Sequence, residues 1–151
     1  MEITKNNTLP TLCYAALFFC ALYLFVATCN IVEGISGLNL IPGIKWIQSA
    51  VFYGKHILCI ALVGLVSSIT INTLKGIKAD NPFPKKNISL IFAVAVVDTL
   101  MNLCSANWHV MNGERYFEID GDVLITPIMI MIFGILYSIA HGASVDSKLT
   151  I

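Results

Sequence analysis

Four apolar runs, each close to twenty residues long, take up most of this chain. They lie at about Thr11–Val32, Ala50–Leu74, Ile88–Trp108 and Val123–His141. A helix needs about 20 residues to cross the hydrocarbon core of a bilayer. In lipid, every backbone N–H and C=O must be satisfied within the chain, so a spanning segment is a helix or part of a closed barrel. The runs lack the apolar/polar alternation of barrel strands, which leaves helices. The chain therefore reads as all-α: a polytopic membrane protein, a single domain over residues 1–151 forming a four-transmembrane-helix bundle. Only 12% of its residues are charged and 57% are hydrophobic, against about 25% charged in soluble domains. A soluble core of this size could not hide so many apolar side chains, and the partner they demand is the lipid bilayer. Net charge is zero, which gives no basic field for direct contact with nucleic acid.

The first run exceeds the about 7–15 residues of a signal-peptide core, and its N-terminal flank carries one glutamate and one lysine, so it is read as a retained helix. Lysine placement sets the orientation. Lys5, Lys75, Lys78, Lys85, Lys86 and Lys148 fall on one side, and Lys45, Lys55 and Arg115 on the other. The richer side is expected to be cytoplasmic. Both termini are then expected to face the cytoplasm, and the loops Glu33–Gln48 and His109–Asp122 to face outward.

The connections differ in kind. In Lys75–Asn87, Pro82 and Pro84 fix φ near −65° and push Asn81 and Phe83 toward extended backbone. Asn87 is positioned to cap the third helix. Trp46, Phe52 and Tyr53 sit where an interfacial aromatic belt would lie. The turn dipeptides Asn112-Gly113 and Asp120-Gly121 flank a strand-like Arg115–Ile119, which suggests a small hairpin. Asp120 and Asp122 resemble a fragment of a calcium loop, but without further spaced oxygens a polar turn is the simpler reading.

Small residues at four-residue spacing, Gly134/Ser138/Gly142 in run four and Gly64/Ser68 in run two, predict close helix packing within the bundle. The alternative use of such a ridge is a homo-oligomer face. Asp98 stands near the middle of run three. An acid there costs about 2.5–3.5 kcal/mol to insert, so it is expected to face the bundle, paired or protonated. Asn102, one turn away on the same face, is the first candidate partner, with Thr99 and Ser68 as others. The reading is a structural hydrogen bonder, with proton or ligand sensing as the functional alternative. The cationic groups within the runs are Lys55 and His56, near the outer end of run two.

Of the cysteines, Cys13, Cys20, Cys29, Cys59 and Cys104, none forms a CxxC pair, which argues against thiol–disulfide exchange chemistry. Cys29, Cys59 and Cys104 share a depth with His56 and His109. Thiolate and imidazole at one level form a soft-metal candidate set, against the simpler reading of small buried cysteines. No cofactor is implied and no catalytic motif is present, so no enzymatic activity is expected.

The stretch Gly76–Leu90, GIKADNPFPKKNISL, resembles the element between helices two and three of the DUF2975 family, small bacterial four-helix membrane proteins. Gly76, Asn81, Pro82, Phe83, Asn87 and Leu90 stand at matching positions. The tail Gly142–Ile151, ending Leu149-Thr150-Ile151, is similar to that family's ending, although Val145 replaces a usual leucine and Ser147-Lys148 a more acidic stretch. The resemblance implies a four-helix membrane layout and a link to a cytoplasmic helix-turn-helix regulator of the Xre type. Two function classes follow. One is a regulatory protein docking such a partner through Asn81, Pro82, Phe83, Asn87 and the tail. The other is a metal- or haem-binding redox protein using the Cys/His level.

Overall fold

The structure, a computed structural model, describes residues 8–119 and 121–149. Lys5, Asp120, Thr150 and Ile151 fall outside them, and so do the side chains of Lys148 and Leu149. Four helices follow in order: α1 (Thr8–Ser36), α2 (Lys45–Lys78), α3 (Lys86–Ala106) and α4 (Asp122–Leu149). All four are long and apolar enough to cross a membrane. They overshoot the apolar runs because their ends are polar residues that helices tolerate once they leave the hydrocarbon. At 1.5 Å per residue the 34 residues of α2 extend about 51 Å against a core about 30 Å thick.

Two sequence expectations about connections fail. No hairpin forms between Asn112 and Asp122 among the described residues. Instead α3 runs into a 3₁₀ helix, Asn107–Asn112, which Gly113 closes with φ +95°. The buried Asn107 amide then accepts from the Glu118 N–H (2.8 Å) and donates to the Glu118 C=O (2.8 Å), so a side chain supplies the partners that a strand would have supplied. The segment after Gly142 is not a separate tail: α4 continues through it to Leu149. One glycine costs a helix only about 1 kcal/mol, and nothing else there breaks it.

Packing is closest between α2 and α3, then α3 and α4, then α1 and α2. No residue of α1 is buried within the chain. The α2–α3 register is antiparallel: Gly54 lies against Cys104, and Asn72 pairs with Asn87. Extending that register puts Asp98 level with the stretch around Ala61, two turns from Ser68. Ser68 is exposed and its hydroxyl bonds back to the Gly64 carbonyl at 2.8 Å, so it is no partner for Asp98.

The small-residue ridge packs at one point. A Cβ on Gly134 would stand 3.1 Å from Ile91 Cγ2 and 3.4 Å from the Phe92 ring. Gly64 and Gly142 face open space, and Ser138 is exposed. A four-residue period turns slowly around a helix of 3.6 residues per turn, so one end of a ridge can pack while the other leaves the interface.

Candidate functional site

Two fully buried asparagines mark the limits of α3. Asn87 is 0% and Asn107 1% exposed. Their twenty-residue separation spans about 30 Å, the hydrocarbon thickness. Buried amides without partners are costly in lipid, and each of these is held by a network.

At the Asn87 end the network is closed, and it forms a clasp. The Asn87 carbonyl oxygen accepts from Asn72 Nδ2 at 3.1 Å. Its amide group is shared among Ile69 O (3.2 Å), Thr73 Oγ1 (3.0 Å) and Tyr137 Oη (3.1 Å). One side chain thereby ties α2, α3 and α4 together. It does not cap α3, which begins one residue earlier with Lys85 at the cap position.

The loop closes over this hub. Asn81 N–H and Ala79 N–H both donate to the Gly76 carbonyl, at 2.8 and 3.0 Å. Asp80 takes φ +53° to make the turn, a conformation aspartate tolerates better than most residues. A Cβ on Gly76 would collide with the Asn81 carbonyl and stand 2.9 Å from Pro84 Cγ. Phe83 is half-buried, its ring edge-on to Tyr137 with centroids 5.5 Å apart. The Phe83 carbonyl accepts from His141 Nδ1 at 2.7 Å. Of the six residues singled out in this stretch, Gly76, Asn81, Phe83 and Asn87 thus contribute to one structural joint.

Midway along α3, Asp98 is 7% exposed and its Oδ2 accepts from Asn102 Nδ2 at 3.1 Å. Thr99 bonds its own helix, at Ala95 O. On α4, the buried Pro127 lacks the N–H that would bond the Val123 carbonyl.

At the Asn107 end the framework is also closed. Gln48 is 0% exposed, accepts from Ile41 N–H at 2.8 Å and donates to Val110 O at 3.2 Å. Phe52, expected in an aromatic belt, is 2% exposed. A Cβ on Gly34 would stand 2.9 Å from the Phe52 ring, so glycine there lets α1 lie against it. Trp46 and Tyr53 do stay exposed.

Just below this framework, on the membrane side, a cavity of about 450 Å³ opens where α1 and α3 flank α2. Val26, Ala27, Ile31 and Met101 make apolar walls, and Tyr23, Asn30, Lys55, His56, Cys59, Ser105 and Trp108 add polar atoms. Lys55 Nζ sits 4.3 Å from the Trp108 ring centroid, a cation–π geometry. Among the described residues no carboxylate lines the cavity. His56 Nε2 is buried and has no hydrogen-bond partner. The Cys59 thiol donates to Tyr23 Oη at 3.4 Å.

The proposed Cys/His level does not converge. No group of three His, Cys, Asp or Glu side chains able to hold a metal occurs among the described residues. His56 and Cys59 line the cavity, but Cys29 is exposed and Cys104 turns toward Gly54. His109 Nδ1 and Nε2 lie 3.1 and 3.0 Å from the Ala106 and Tyr116 carbonyls, the tautomer deciding which of the two accepts, and the ring stacks on Tyr116 at 4.2 Å. Equal depth on three helices does not make equal azimuth.

Sequence reading missed Gln48, Asn107 and the pairing of Lys55 with Trp108. The signal present was an amide at each run edge and a lysine inside a run. No protein-family model, curated protein or solved structure matches the chain.

Proposed function

We propose that this is a non-enzymatic regulatory membrane protein, whose cavity end takes a ligand and whose clasp end presents a surface to a cytoplasmic regulator of the helix-turn-helix type. The observation that supports it most is the contrast in polar satisfaction. The clasp hydrogen bonds close on one another, whereas the cavity is lined by an ammonium with no carboxylate among its described lining residues and by His56, whose Nε2 is buried beside it with no partner. An unpartnered buried polar group beside a cavity is where a ligand is expected.

Phe83 then serves docking indirectly, by holding the loop rigid against Tyr137. The exposed Lys85 and Lys86 at the start of α3, together with the end of α4, would form the contact surface. The test is transcript profiling of cells carrying wild-type protein, a deletion, or the double variant Lys85→Glu/Lys86→Glu at equal membrane abundance. The same gene set should change in the deletion and in the double variant. An unaltered transcript profile in the deletion would remove the regulatory reading.

A further inference from the structure

We propose that the cavity binds the headgroup of an anionic phospholipid from the leaflet it opens into. The inference rests on the reading of this cavity as a ligand site and names its ligand.

Three observations carry it. First, charge: Lys55 brings a full positive charge to a cavity with no lining carboxylate, and the Trp108 face 4.3 Å away offsets only part of its desolvation. A metal cation is disfavoured beside that ammonium, while a net anion is favoured. Second, hydrogen bonding: His56 Nε2 is buried and unpartnered, and Asn30 lines the same space. The Asn30 amide supplies a donor to a phosphate oxygen directly, and the imidazole adds a second when its ring turns to bring the buried Nε2 into the open space. Third, depth: in the α2–α3 register Lys55 lies level with Cys104, about 4.5 Å inside the Asn107 boundary. Its flexible stem carries the ammonium toward Trp108 and that boundary, where lipid phosphates lie. The walls of Val26, Ala27, Ile31 and Met101 then meet the first part of an acyl chain. The rest of the chain leaves through the opening between α1 and α3, which the loose packing of α1 keeps available. A zwitterionic lipid carries its own cation next to the phosphate and gains less from Lys55.

The experiment uses the full chain in lipid nanodiscs with Trp46→Phe, so that Trp108 is the sole tryptophan. Trp46 is 70% exposed, and its loss leaves the cavity intact. Lipids brominated near the headgroup end of one acyl chain serve as contact quenchers. Brominated phosphatidylglycerol should quench Trp108 about three- to fivefold more effectively than brominated phosphatidylcholine, the size of one partly desolvated charge pair. Lys55→Gln should abolish that preference, and Lys55→Arg should keep it. Lys45→Gln, an exposed lysine away from the cavity, should also keep it. Equal quenching by the two lipids, a preference that survives Lys55→Gln, or one lost equally in Lys45→Gln would overturn the proposal. Loss of the preference on adding inorganic phosphate would replace the lipid by a soluble phosphate ligand and so overturn it too. Quenching reads lipid contact and transcription reads output, so the inference and the regulatory reading can fail separately.

Discussion

The two ends of α3 carry similar chemistry put to different uses. At each end a buried asparagine holds its neighbours, Asn87 through side-chain and backbone groups and Asn107 through backbone groups. At the Asn87 end, the surrounding tyrosine, threonine and histidine are drawn into the same network, down to His141 on the Phe83 carbonyl. At the Asn107 end, Lys55, His56 and Asn30 stay outside the network and face a cavity. The lesson is that polar residues in a membrane helix are not one class. Those whose hydrogen bonds close on one another fix the fold, and those left open toward a cavity are available to a ligand.

The comparison breaks most readily at its rigid end. Asn87→Ala strands Asn72, Thr73 and Tyr137 together, and should lower stability by about 2–4 kcal/mol, read as a fall in the melting temperature of detergent-solubilised protein. Retention of wild-type stability would show the clasp to be ornamental. Next comes Gly76→Ala, whose methyl collides with the Asn81 carbonyl. Overpacking of this kind costs about 1–3 kcal/mol, and hydrogen exchange should show the loop 79–85 opening more often than the helices around it.

A smaller effect is expected midway between the two ends. Asp98→Asn keeps a side-chain oxygen for Asn102 and should change stability by less than about 1 kcal/mol. Asp98→Leu removes that partner and should cost about 1 kcal/mol more, judging from hydrogen bonds between membrane helices. If the aspartate variant Asp98→Asn instead abolishes a pH-dependent transcriptional output, the residue is a sensor rather than a structural hydrogen bonder.

How much of this was legible in the sequence follows from what each feature depends on. The four spans came through because hydropathy over twenty residues needs no knowledge of neighbours. Asp98 with Asn102 came through because i, i+4 spacing defines contact within one helix. Asn87 was singled out, but as a cap, because its true partners Asn72, Thr73 and Tyr137 sit on other helices whose register the sequence does not encode locally. The same limit produced the Cys/His level: depth is readable along one helix, whereas azimuth relative to three helices is set by packing. Nothing in the sequence sets Gly34 apart, and Gly76 stood out only by the resemblance; the Phe52 ring and the Asn81 carbonyl beside them show why each is required.

The smallest predicted effect lies outside the spans, beyond the cavity end. A hydrogen bond to Glu114, together with slight burial and the charges of Glu114 and Glu118, holds the Tyr116 phenol above its ordinary ionisation range. A raised value in the folded chain means that any stabilisation is fully present below the unfolded value of about 10. It is lost as pH rises through the folded value. Glu114→Gln should move the Tyr116 ionisation down, followed by NMR of a labelled tyrosine ring carbon, without altering lipid preference at Lys55. No downward movement would mean that Glu114 does not hold the phenol.

The central claim, a closed clasp at one end and a ligand-facing cavity at the other, is tested most directly by hydrogen exchange in nanodiscs of two compositions. Exchanging phosphatidylcholine for phosphatidylglycerol should slow exchange in residues 26–34, 55–59 and 101–108, and leave Gly76–Asn87 far less affected. Identical exchange in the two lipids, or a change confined to Gly76–Asn87, would contradict it.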